Sequence, residues 1–93
     1  MIHIENVKQG KYYAEKNASL RVDGFDHFGN PIGLSVVAFD GCVDIYQDTD
    51  LDFYFLEDNQ MKEITRAEFE ERLKEAQKIF TKMINYELFN IDC

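Results

Sequence analysis

Seven of the nineteen residues in DGCVDIYQDTDLDFYFLED, residues 40–58, are acidic and none is Lys or Arg. Carboxylates at this density can hold a hard cation, exchange protons with a substrate, or meet a cationic partner. The metal reading starts from Asp48-Thr49-Asp50-Leu51-Asp52, whose D-x-D-x-D spacing imitates the first half of an EF-hand loop. It stops there: Phe53 stands where that loop needs its glycine and Asn59 where it needs its bidentate Glu. Weak adventitious calcium affinity at Asp48, Asp50 and Asp52 is all the spacing supports, so no metal or other cofactor is expected.

Catalysis has less to build on. His3 and His27 are far apart in sequence and far from Cys42, and there is no G-x-S-x-G, no phosphate-cradling glycine loop and no paired Cys/His metal spacing. A non-enzymatic protein is therefore expected, with no catalytic residues. Cys42 and Cys93 form neither a CxxC pair nor the dense framework of a small secreted domain, and they read as two free thiols.

The third chemistry is favoured by the way charge is distributed. Of the formal net charge of −8, residues 1–21 carry +2 and residues 62–93 carry −1. From Val22 to Met61 there are nine acids and no Lys or Arg, a segment of −9. The ten basic residues elsewhere are interleaved with nine acids, so no basic stripe for direct nucleic-acid binding emerges. Tyr12 and Tyr13 beside Lys8, Lys11 and Lys16 could stack on single strands, but packing in a core accounts for them more simply.

The elements that must position the acids can be read from local pattern. Ile2 and Ile4 alternate with polar neighbours, predicting a short first strand before the turn-like KQGK. Tyr12 to Ala14 and Ser19 to Phe25 read as the next two strands, followed by a loop at DHFGNP. Asp40-Gly41 between GLSVVAF and CVDIYQ is a strong signal for a two-residue type I′ hairpin. That turn fixes a register: Phe39 opposite Cys42, Ala38 opposite Val43, Val37 opposite Asp44, Val36 opposite Ile45, and Ser35 opposite Tyr46.

A three-residue loop at Asp48-Thr49-Asp50, with Asp50 left-handed, is then expected to return a strand that pairs Ile45 with Phe53 and Val43 with Phe55. Val36, Ala38, Val43, Ile45, Phe53 and Phe55 would face the core. Val37, Phe39, Cys42, Asp44, Tyr46, Asp52 and Tyr54 would share the face away from it. Met61 to Ile64 reads as a short strand, and Thr65 and Glu68 have capping-box spacing before a helix. Phe69, Leu73, Ala76, Phe80 and Met83 form its apolar stripe, expected to cover the sheet rather than to make a homodimer. Leu88, Phe89 and Ile91 are further core candidates.

Together these readings predict one domain over residues 1–93. It is an α+β fold in which an antiparallel meander of about five or six strands is followed by one C-terminal helix packed on the sheet; a partly closed barrel is the alternative. The start of the chain lacks the basic-then-apolar pattern of a secretory signal, and no uncharged apolar run approaches the ~20 residues that span a bilayer. A cytoplasmic protein without a membrane partner is expected; its oligomeric state is not legible.

The expected function is that of a non-enzymatic inhibitor or adaptor. Its acidic, tyrosine-bearing surface, carried by Val37, Phe39, Asp44, Tyr46, Asp48, Asp50, Asp52, Tyr54, Glu57 and Asp58, would occupy a basic site on a partner such as a nucleic-acid-binding protein or nuclease. Side chains two apart on a strand repeat every ~7 Å, a scale comparable to successive phosphates, so such a face can act as a nucleic-acid mimic. Anti-restriction and anti-CRISPR inhibitors work this way as a class, an analogy of composition only. A blander reading stands beside it: a small ligand-binding or accessory domain that uses the space between sheet and helix, with the acids serving solubility only.

Overall fold

The computed structural model describes residues 2–56 and 60–86, with side chains described to residue 82. A five-stranded antiparallel sheet carries one C-terminal helix and does not close into a barrel. The strands are β1 (Tyr12–Ala14), β2 (Ala18–Phe25), β3 (Pro31–Phe39), β4 (Cys42–Asp50) and β5 (Lys62–Ile64), in the order β4-β3-β2-β1-β5. The helix α1 spans Arg66–Tyr86.

The β3–β4 hairpin follows its turn chemistry. Asp40 and Gly41 both have positive φ, +53° and +80°, as a type I′ turn requires. The pairs Phe39–Cys42, Ala38–Val43, Val37–Asp44, Val36–Ile45 and Ser35–Tyr46 form as expected. α1 starts at the capping box: the Glu68 N–H donates to Thr65 Oγ1 at 3.1 Å, and the Thr65 N–H donates to Glu68 Oε1 at 3.3 Å.

Two expected strands are 3₁₀ turns instead. Ile4–Asn6 is held by i→i+3 bonds, Asn6 N–H to His3 O and Val7 N–H to Ile4 O. This places Ile4 and Val7 on one side, facing the core. Asp52–Phe55 forms the second 3₁₀ turn. The expected loop at residues 48–50 is absent because Asp48, not Asp50, takes the left-handed conformation (φ +50°). It sits within a bulge that lets β4 continue, pairing Thr49 with Gly33 and Asp50 with Ile32. Leu51 and Phe55, one i, i+4 pair, then both turn into the core.

Both faces of the sheet are therefore covered. On one side α1 lays Phe69, Leu73, Ala76 and Ile79 against Ala14, Leu34, Val36, Val43 and Ile64. On the other, Val7, Leu51, Phe55 and Met61 pack on Tyr13, Ala18, Leu20 and Val22. This second layer corrects the expectation of a single core face: Val37 is half-buried against it. Ile45 and Phe53, expected in the core, are 39% and 53% exposed. Phe80 is 42% exposed, and Ile79 packs where Phe80 was expected. The expected core positions Met83, Leu88, Phe89 and Ile91 lie outside the described side chains.

Arg72 joins helix to sheet. Its guanidinium donates to Ser19 Oγ and to the carbonyls of Glu15, Lys16 and Ala18, gathering the β1–β2 connection onto α1. Cys42 is disulfide-bonded, which corrects the reading of a free thiol at that position; Cys93 lies outside the described residues.

Candidate partner-binding surface

β4 is an edge strand, paired with β3 on one side. Alternation along it directs Asp44 and Tyr46 to the face opposite the helix, since they pair with Val37 and Ser35. Leu51 N–H donates to Pro31 O at 2.9 Å, which holds the chain to the sheet as it enters the 3₁₀ turn. The turn returns Tyr54 to the same face. Its hydroxyl lies 2.6 Å from Ser35 Oγ, and Ser35 is fully buried. The Phe53 ring leans on Tyr54 with centroids 4.0 Å apart at 31°. Tyr46, Thr49, Asp50, Phe53 and Tyr54 thus surround a depression of about 280 Å³.

The acids around it differ in their engagement. Asp23 is neutralised by Arg21, Oδ1 to Nε at 2.7 Å, and this hydrogen bond raises the Arg21 pKa, with Asp48 adding to the field. The Asp26 carboxylate accepts the N–H groups of Asn30 and Phe28, both at 2.9 Å, an Asx-type turn that closes the β2–β3 connection. Those bonds, Asn30's first, hold its pKa below the usual carboxylate range. Among the described residues no ion pair holds Asp40, Asp44, Asp48, Asp50 or Asp52. Lys11 does not reach them, and lies instead 3.9 Å from Glu63.

Of the residues singled out from the sequence, Phe39 (65% exposed), Asp44, Tyr46 (53%), Asp48 and Asp50 are exposed. Asp52 and Tyr54 are half-buried. Glu57 and Asp58 lie outside the described residues. The expected pairing of Ile45 with Phe53 and of Val43 with Phe55 does not form, because residues 52–55 are not a strand. Tyr46 and Tyr54 nevertheless meet at the depression, joined by Phe53 and Thr49, which the sequence reading did not assign to the surface. The spacing of Leu51 and Phe55 was the available signal: read as i, i+4 rather than as alternation, it turns Phe53 outward.

The three aspartates of the D-x-D-x-D stretch are split between the bulge, the end of β4 and the 3₁₀ turn. Among the described residues no group of three or more His, Cys, Asp or Glu side chains is arranged to hold a metal ion. His3 is exposed, and His27 is an exposed turn residue whose ring lies 4.1 Å from that of Phe28. Among the described residues no helix is long and apolar enough to cross a membrane. No protein-family model, curated protein or solved structure matches the chain.

Proposed function

We propose that this protein is a non-enzymatic inhibitor or adaptor whose β4 and following 3₁₀ turn dock into a basic, nucleic-acid-binding site on a partner protein. One observation carries the reading. Carboxylates without ion pairs among the described residues, on the edge strand β4 and its flanking turns, stand beside exposed Tyr46 of β4, Phe39 at the end of β3 and Phe53 of the 3₁₀ turn, in a segment with no basic residue. Aromatic anchors dominate the energetics of interfaces, while unpaired charge sets partner choice and on-rate.

The charges also blunt a sheet edge against association with other strands, which is the structural use of acids on β4. That use accounts for Asp44 and Asp48 but not for exposed aromatic rings beside them. For a small-ligand domain, one space between sheet and helix is a cavity of about 260 Å³ lined in part by Lys16, Ser19, Arg72, Glu71 and Glu75, below the ~300–1,000 Å³ of most small-molecule sites and with Arg72 already engaged by four acceptors. A second depression of about 400 Å³, where β1 and β5 meet the start of α1, is large enough but is lined by exposed Lys11, Glu63, Arg66 and Glu68, of which Lys11 and Glu63 already pair with each other.

The reading places the protein in the cytoplasm. Disulfides are rare in that compartment, so the disulfide at Cys42 counts against this part of the reading. The test is retention of host proteins from nuclease-treated lysate with elution along a salt gradient, beside Asp44→Lys/Asp52→Lys matched for melting temperature. A nucleic-acid-binding protein held by the wild type, released by salt and lost by the variant supports the reading. Equal retention by both forms, or no specific retention, refutes it.

A further inference from the structure

We infer that the depression between β4 and the 3₁₀ turn is a cation-recognising pocket that takes one arginine side chain from the basic partner. This rests on the docking role proposed above and assigns its central contact.

Its walls are aromatic: Tyr46 from the strand, and Phe53 and Tyr54 from the turn. Tyr54 is held by the buried Ser35 hydroxyl at 2.6 Å, and Phe53 is held against Tyr54, so this part of the pocket is built before a ligand arrives. Ring faces attract a cation through their quadrupole within ~6 Å, and Asp50 supplies a carboxylate at the rim with no ion pair among the described residues.

A guanidinium uses both features at once. It is planar and weakly hydrated, stacks on rings, and presents a fork that a carboxylate accepts bidentately. Lysine offers a compact, strongly hydrated charge that gains less from the rings. At about 280 Å³ the depression is smaller than most small-molecule sites, a size suited to one side chain rather than to a cofactor. A nucleotide is disfavoured, because its phosphates would enter the field of a segment carrying −9.

The test is a titration of the full chain with the peptide acetyl-Gly-Arg-Gly-amide, followed through the ring resonances of Tyr46, Phe53 and Tyr54 by NMR. The citrulline and lysine counterparts serve as controls. The expected result is saturable shifts confined to those rings, with a Kd on the order of 1 mM, no shift with citrulline, and weaker binding by lysine. Phe53→Ala and Asp50→Asn should each weaken arginine binding about five- to tenfold while leaving the resonances of Val36 and Ala76 in place.

Equal shifts with citrulline, or arginine-induced shifts that spread over Asp40 and Asp44 and miss the rings, would overturn the assignment. Failure here is separable from failure of the docking role. A partner still lost by Asp44→Lys/Asp52→Lys, yet bound normally by Asp50→Asn and Phe53→Ala, would leave the role standing without this pocket.

Discussion

Gly33 has no room for a methyl group. A Cβ there would lie 2.0 Å from the Arg21 carbonyl oxygen and 2.9 Å from the Asp23 N–H nitrogen, both rigid backbone. It sits between two irregularities, the bulge at Val22/Gly24 on one neighbouring strand and the one that includes Asp48 on the other. Gly33→Ala should therefore destabilise the fold by about 1–3 kcal/mol, read as a lower urea midpoint. Unchanged stability would mean that the strands are further apart at this point.

Asp26 gives a pH signature at the same scale. Its pKa is depressed in the fold, so its stabilising contribution is present above the ordinary carboxylate pKa and is lost as pH falls through the lower folded value. Asp26→Ala should make the acid limb of a stability-against-pH curve shallower. The Asp40-Gly41 turn was legible in the sequence because its residues state their own dihedral preferences. Asp48 was not, since Asp48 and Asp50 tolerate the left-handed region equally well and only the pairing of Thr49 with Gly33 selects between them.

At the level of elements, α1 is held by its cap and by Arg72. Thr65→Ala removes the hydroxyl that accepts the Glu68 N–H and should cost about 1 kcal/mol. Arg72→Met strands acceptors at the β1–β2 connection and should cost about 1–3 kcal/mol. Arg72→Lys should not fully rescue it, because an ammonium cannot reproduce the fork. Thermal melts of the three variants check the ranking.

The helix was legible from its apolar stripe and capping box, and β1 to β5 from alternation and turn residues. The two 3₁₀ turns were not, because short apolar runs such as Leu51–Phe55 satisfy period two and i, i+4 spacing alike. What decides is tertiary: the second face of the sheet needed covering, and Val7, Leu51, Phe55 and Met61 cover it.

For the molecule as a whole, the segment without basic residues runs from the end of β2 through β3 and β4 into the 3₁₀ turn, and, Asp26 apart, its acids without an ion pair among the described residues gather on β4 and its two flanking turns. The acidity was legible in the sequence, and so were most of the exposed residues. The pocket was not, since it depends on where the chain goes after the bulge. A surface of this kind should bind with steep salt sensitivity. Raising salt from low to several hundred millimolar should slow association far more than it speeds dissociation. A salt-independent association rate, measured by stopped flow against a captured partner, would assign the acids to solubility.

The central claim is occupation of a nucleic-acid-binding site, and competition tests it most directly. With a retained partner in hand, its affinity for labelled nucleic acid would be measured against increasing concentrations of this protein and of Asp44→Lys/Asp52→Lys. The account predicts complete displacement of nucleic acid by the wild type, with an apparent Kd that rises linearly with protein concentration, and none by the variant. A ternary complex, in which partner, nucleic acid and protein are bound together with the nucleic-acid affinity unchanged, would contradict it.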